Sequence, residues 1–170
     1  MSKNDTWSPV EPVSESSILS TPQLSGLTFW QRLDYLAVNY PNKPAIVVDD
    51  AVYTYEMLNK AIAETAQQSV KGSSINYIRS GSVWTQLTKW IGAMKAGQLP
   101  ILCHPDLSDE RMTQLQAKYG FVIDRKVNPK ADFGVLTSGT TGLPKILWRP
   151  LPSWVDFFKA QNEIFKIDFD

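Results

Sequence analysis

The chain has 170 residues, enough for one domain with a hydrophobic core, and 43% of them are apolar with 20% charged, a soluble globular composition. Seventeen basic and seventeen acidic side chains cancel, so no basic excess calls for nucleic acid. Cys103 is the single cysteine, which excludes an internal disulfide, and no apolar run approaches the roughly 20 residues of a membrane-spanning helix. The first six residues lack the apolar stretch of a signal peptide, so a cytoplasmic protein without a membrane span is expected.

Residues 1–26 read as a disordered or extended arm rich in Ser, Pro, Thr and Glu, in which Trp7 has no assignable place. Order is expected from Thr28, an N-cap candidate followed by Phe29, Trp30, Leu33, Leu36, Ala37 and Tyr40 at helical spacing, with Pro41 as the stop. Pro44–Val48 and Val52–Thr54, joined at Asp49-Asp50, predict a hairpin. Thr54 then caps a second helix through Leu58, Ala61, Ile62 and Thr65 toward Val70, broken by Lys71-Gly72-Ser73-Ser74.

Ile75–Ile78 predicts a strand. Val83, Trp84, Leu87, Trp90, Ile91 and Met94 share the face of a third helix closed by Gly97, and core packing is the role expected of both tryptophans. Leu99–Cys103 predicts a buried strand, and His104-Pro105-Asp106 a turn. Ser108 caps a helix carrying Met112, Leu115 and Tyr119 and closed by Gly120, after which Phe121-Val122-Ile123 predicts another strand. Asn128-Pro129-Lys130 forms a loop before the apolar segment Phe133–Leu136. Ile146–Trp148 is again extended, and Ser153 caps a last helix through Phe157, Phe158 and Ile164. Helices alternating with short apolar strands predict an α/β fold with mostly parallel strands.

The chemistry concentrates in Thr137-Ser138-Gly139-Thr140-Thr141-Gly142-Leu143-Pro144-Lys145. Glycines let backbone N–H groups approach a ligand, hydroxyls add neutral donors, and a lysine adds a mobile positive charge. Such a loop suits a polyphosphate. It is not a Walker loop: Gly134 and Gly139 have the glycine spacing, but Thr140 stands where lysine is required. Elsewhere the candidates are weak. His104, the only histidine, reads as a turn residue and Cys103 as a small buried hydrophobe. Glu56 and Arg149 read as solvated, and Trp148 and Trp154 as core aromatics.

Ser138–Lys145 resembles closely the phosphate-binding signature of the adenylate-forming (AMP-binding) superfamily, which includes acyl-CoA synthetases, nonribosomal adenylation domains and luciferases. Tyr53-Thr54-Tyr55-Glu56-Met57-Leu58-Asn59, Trp90–Gly97 and Cys103-His104-Pro105 resemble further elements of that family in the same order, so the resemblance covers about residues 28–170. It implies that residues 27–170 are the N-terminal part of the large domain of such an enzyme, truncated after the phosphate loop. The family joins a carboxylic acid to ATP, releases pyrophosphate, and passes the acyl group to coenzyme A or a carrier-protein phosphopantetheine. By resemblance ATP and Mg²⁺ are the cofactors, and Thr137, Ser138, Gly139, Thr140, Thr141, Gly142 and Lys145 hold the phosphates.

Two departures qualify this. The family continues after the lysine with glycine and a threonine-histidine pair, whereas Ile146-Leu147-Trp148-Arg149-Pro150 follows here. Its adenine- and acid-binding segments, ribose-binding aspartate and late catalytic lysine have no counterpart in the sequence, and Asp168 and Asp170 lie too close to the loop to replace that aspartate. The expectation is a fragment of an acid–thiol ligase that is inactive alone, with no catalytic residue assigned. The other reading is a non-catalytic nucleotide-binding module or a subunit completed by a complementary chain.

Overall fold

A computed structural model describes residues 27–69, 74–122, 130–137, 142–154 and 164–165. Expectations for residues 1–26, Val70 to Ser73, Ile123, Asn128 and Pro129, Ser138 to Thr141, Phe157 and Phe158 lie outside the described residues.

Helix α1 spans Phe29–Asn39. Thr28 starts it as a capping box: its hydroxyl accepts the Gln31 N–H at 3.3 Å while the Gln31 side chain accepts the Thr28 N–H at 2.9 Å. Leu33 and Leu36 are its buried residues. Strands β1 (Pro44–Val48) and β2 (Ala51–Thr54) pair antiparallel as a separate two-stranded sheet. Asp49 turns between them at φ 52°, a conformation its short polar side chain tolerates.

Helix α2 (Tyr55–Gln68) starts where Thr54 accepts the Met57 N–H, and helix α3 (Val83–Lys95) where Ser82 accepts that of Thr85. Gly97, at φ 77°, turns the chain out of α3, the left-handed exit that glycine takes without a Cβ penalty. Leu33, Leu58, Ile62 and Ile91 bury together between these three helices, with Trp30, Trp84, Leu87 and Trp90 packed around them. Trp84 also stacks on Tyr53 of the hairpin, centroids 3.9 Å apart.

The main sheet has the order β3-β4-β5-β6, with β3 at Ile75–Arg79, β4 at Leu99–Cys103, β5 at Phe133–Leu136 and β6 at Ile146–Arg149. β3, β4 and β5 run parallel, and β6 returns antiparallel to β5. Helix α4 (Asp109–Tyr119), capped by Ser108, contributes Leu115 to a core on the sheet with Ile75, Leu99, Ile101, Cys103 and Ile146. On the other side Phe133 meets Trp90 of α3 edge-on at 5.1 Å.

Two expectations are corrected. Phe121 and Val122 form no strand of the sheet. They are 55% and 76% exposed, and Val122 makes only an isolated antiparallel bridge to Ser74. Their contact is limited to the start of the edge strand β3, where the Phe121 carbonyl also accepts the Ile75 N–H at 2.7 Å. Ser153 is not a cap either. It lies inside the helical turn 152–154 and donates to the Pro150 carbonyl at 2.7 Å, while Asp132 accepts the Leu151 N–H at 2.7 Å. The carboxylate that holds the entry to this turn comes from the approach to β5, nineteen residues earlier in sequence.

Candidate functional site

The run Thr137–Lys145 is the hairpin connection between β5 and β6. Its neck is closed by the Thr137 N–H donating to the Lys145 carbonyl at 2.9 Å. The Thr137 hydroxyl lies 3.4 Å from both the Lys145 N–H and its carbonyl oxygen. The neck therefore prolongs the β5–β6 ladder by one pair and projects the loop from the carboxyl end of β5. Open parallel sheets bind ligands at that end of their strands.

Leu143 packs onto the sheet core, and the Tyr119 hydroxyl donates to the Pro144 carbonyl at 3.3 Å. Gly142 and Lys145 are exposed, and a Cβ built on Gly142 would meet no atom within 4 Å. Gly142 is thus spared a packing duty and leaves its backbone open to an incoming group. Gly134, the first glycine of the rejected Walker spacing, has the opposite role. A Cβ there would lie 2.8 Å from Ile146 Cγ2 and 3.0 Å from Ile101 Cγ1, so the residue is small because the sheet face is full. Of the loop residues expected to hold phosphate, the structure places Thr137, Gly142 and Lys145; Ser138, Gly139, Thr140 and Thr141 are outside the described residues.

Beside the neck a cleft of about 440 Å³ opens, lined among others by Gln86, Cys103, His104, Leu136, Thr137 and Pro144. Its far wall, the connection from β4 to α4, is held by Arg79 at the end of β3, which donates to the Leu107 carbonyl and pairs with Asp109. Gln86 donates to the Ser80 carbonyl and so ties the start of α3 to the β3 end. Sequence reading assigned no role to Arg79 or Gln86. Arg79 carries one visible signal, a charge directly after an apolar strand.

His104 is exposed, and its Nδ1 accepts the Asp106 N–H at 3.2 Å, as a turn residue does. Cys103 is 2% exposed. Burial pushes its thiol up to about 11, against a smaller opposing pull from Arg79. Burial, reinforced by Cys103 and Tyr119, pushes the Tyr77 hydroxyl up to about 12, and that hydroxyl donates to the Gly120 carbonyl at 2.8 Å. Both groups stay protonated at neutral pH, so neither supplies a nucleophile there. Among the described residues no three His, Cys, Asp or Glu side chains converge as metal ligands, and no helix is long and apolar enough to cross a membrane. A second, apolar cavity of about 500 Å³, with Trp30, Met94 and Leu151 in its wall, lies by the residues that lead into β4 and β5, away from the loop.

No family model matches the chain. It is 24% identical over 155 residues to a candidate long chain fatty acid-CoA ligase, VraA, of Staphylococcus epidermidis, covering 80% of this chain and 34% of that protein. The chain thus spans about a third of the length of the curated relatives it matches. Among solved structures, the o-succinylbenzoate coenzyme A synthetase of Bacillus subtilis in complex with ATP and magnesium ion is similar at a TM-score of 0.57 and 15% identity, over 80% of this chain and 47% of that one. A fatty acyl-adenylate ligase from L. pneumophila, in complex with acyl adenylate and pyrophosphate, is similar at a TM-score of 0.62 and 14% identity, over 77% and 31%. A nonribosomal peptide synthetase matches at 0.63 and 13%, over 81% of this chain and 18% of that one. The described fold is one that these adenylate-forming enzymes share over part of their length.

Proposed function

We propose that the chain is part of an ATP-dependent carboxylic acid–thiol ligase and that Thr137–Lys145 holds the polyphosphate of the nucleotide. In this reading residues 27–170 belong to the N-terminal part of an AMP-binding domain, preceded by an arm over residues 1–26. The observation that carries it is the placement of the loop: a hairpin neck at the carboxyl end of a parallel strand, with Gly142 facing open space and Lys145 exposed. The relatives supply the chemistry by analogy, since structures similar to this chain hold ATP with magnesium ion, or acyl adenylate with pyrophosphate.

The donor set fits that group. Lys145 brings a flexible ammonium to the loop's end, and Gly142 lets its backbone approach phosphate oxygens closely. A Mg²⁺ ion held with the phosphates at this loop would supply positive charge against that which develops as pyrophosphate leaves. The protein's own contribution is preorganisation: donors held toward the leaving group strengthen their bonds as its charge grows. The carboxylic acid, the thiol of coenzyme A or a phosphopantetheine, and a cytoplasmic setting complete the proposal for the whole-length protein.

For the 170-residue chain alone the expected activity is binding without turnover. Mg–ATP titrated into it by calorimetry should bind, and Lys145→Ala should weaken binding about tenfold, the effect of removing one charge-assisted contact to phosphate. Equal affinity in both proteins would remove the loop from the argument. Pyrophosphate exchange by this chain, measured across a panel of carboxylic acids, is expected to stay at background. Exchange above background would show that these residues suffice for adenylation and overturn the assignment of turnover to a longer protein.

A further inference from the structure

The neck between Thr137 and Lys145 fixes both ends of the loop at one place, which is enough to close it but not to aim it. Two ties at one neck would in general let a hairpin rock about the line that joins them. A third point, off the line, is needed. The structure has one. Tyr119, the last residue of α4, donates its hydroxyl to the carbonyl of Pro144, the residue before Lys145, and Leu143 packs into the same core as Leu115 of that helix.

The donor itself stands on rigid ground. Gly120, at φ 69°, ends α4 with its N–H bonded to the Gln116 carbonyl at 2.7 Å. Its own carbonyl accepts the Tyr77 hydroxyl from β3 at 2.8 Å. At the other end of α4, Arg79 of β3 pairs with Asp109. Helix α4 is therefore tied to β3 at both ends, and Tyr119 reaches from that fixed body to the loop. The tyrosine ring is half-buried against the sheet core, so the hydroxyl has little freedom to swing away.

We propose that Tyr119 is a positioning residue for the anion loop: its hydroxyl sets the direction of the arm Leu143–Lys145 and thereby aims the Lys145 ammonium at the polyphosphate. The proposal rests on the loop being a polyphosphate site. Tyr119 touches no ligand in it and acts through Lys145.

The test uses the 170-residue chain, with Mg–pyrophosphate as the probe. Tyr119→Phe removes the hydroxyl and keeps the ring, so the melting temperature should stay within a degree or two while affinity falls about three- to tenfold, the effect of one misaligned hydrogen-bonded arm. In the double variant with Lys145→Ala the two losses should not add, because one residue acts through the other. Leu143→Ala, which loosens the same arm by another route, should weaken binding in the same direction. Amide hydrogen exchange on the ligand-free protein gives a readout free of the probe: the N–H groups of Gly142, Leu143 and Lys145 should exchange faster in Tyr119→Phe, with α4 unchanged.

Wild-type protein that fails to bind Mg–pyrophosphate would overturn the loop reading and this proposal with it. Wild-type binding with an unchanged Tyr119→Phe affinity would overturn the positioning role and leave the loop reading intact. Fully additive losses in the double variant, or unchanged exchange in the arm, would likewise reject action through Lys145.

Discussion

Gly92→Val is expected to destabilise the fold by about 3 kcal/mol, at the upper end of the cost of overpacking a tight core. Gly92 sits in the last turn of α3, where propensity alone says that alanine should help: glycine costs about 1 kcal/mol relative to alanine within a helix. The contact between α2 and α3 reverses that sign. A Cβ at Gly92 would lie 2.7 Å from Thr65 Cβ, 2.9 Å from Thr65 Cγ2 and 3.0 Å from the Ile62 carbonyl oxygen.

Turning the threonine would move its Cγ2 but not its Cβ, and the carbonyl belongs to the α2 backbone, so neither close contact yields to a rotamer change. The two helices would have to separate, and with them Leu58, Ile62 and Ile91, which are buried between them. Gly92→Ala should therefore also destabilise, against the propensity scale. Urea midpoints for both variants check this, and an alanine variant more stable than wild type would reject the close helix approach.

Phe133→Ala is expected to cost about 3–5 kcal/mol, the range for removing a fully buried phenylalanine. Phe133 is 1% exposed and opens β5. Its ring stands edge-on between two others, 5.1 Å from Trp90 of α3 and 5.3 Å from Trp154 beyond β6. Removing it opens a cavity and deletes two aromatic pairs, each worth about 0.5–1.5 kcal/mol beyond its buried area. The same change should shift tryptophan emission to the red, because Trp90 and Trp154 lose the ring that shields both. Denaturant unfolding followed by fluorescence reads both effects. A loss under about 1 kcal/mol would mean that the α3 side of the sheet collapses around the gap.

Much of the fold is legible in the sequence because its signals are local. Thr28, Thr54 and Ser108 cap the helices they precede, since a cap is a bond between a side chain and an N–H three residues on. Gly97 and Gly120 end α3 and α4 at positive φ, and the Asp49-Asp50 turn closes the hairpin. The misses come where a local pattern meets a tertiary limit. Phe121 and Val122 have strand composition, yet they meet the sheet only at the start of its edge strand β3, through an isolated bridge to Ser74. Ser153 has a capping hydroxyl, yet it lies inside the helical turn and donates back to Pro150, while Asp132 from a distant segment accepts the Leu151 N–H.

The loop shows the same division. Its hydroxyls, glycines and lysine suit Thr137–Lys145 to an anion, and its wording resembles the phosphate-binding signature of the adenylate-forming superfamily. The single cysteine likewise disposes of an internal disulfide, and the residue order of a Walker loop, with no structure needed. Only the folded chain decides that the loop is a hairpin tip at the carboxyl end of β5, and that Gly134 is small for packing while Gly142 faces open space. Only the folded chain brings Tyr119 within reach of Pro144 and ties α4 to β3 through Arg79 and Tyr77. These are contacts between residues 25 to 43 positions apart, and a hydrogen bond across such a separation has no trace in local spacing, because it depends on where the sheet carries each partner.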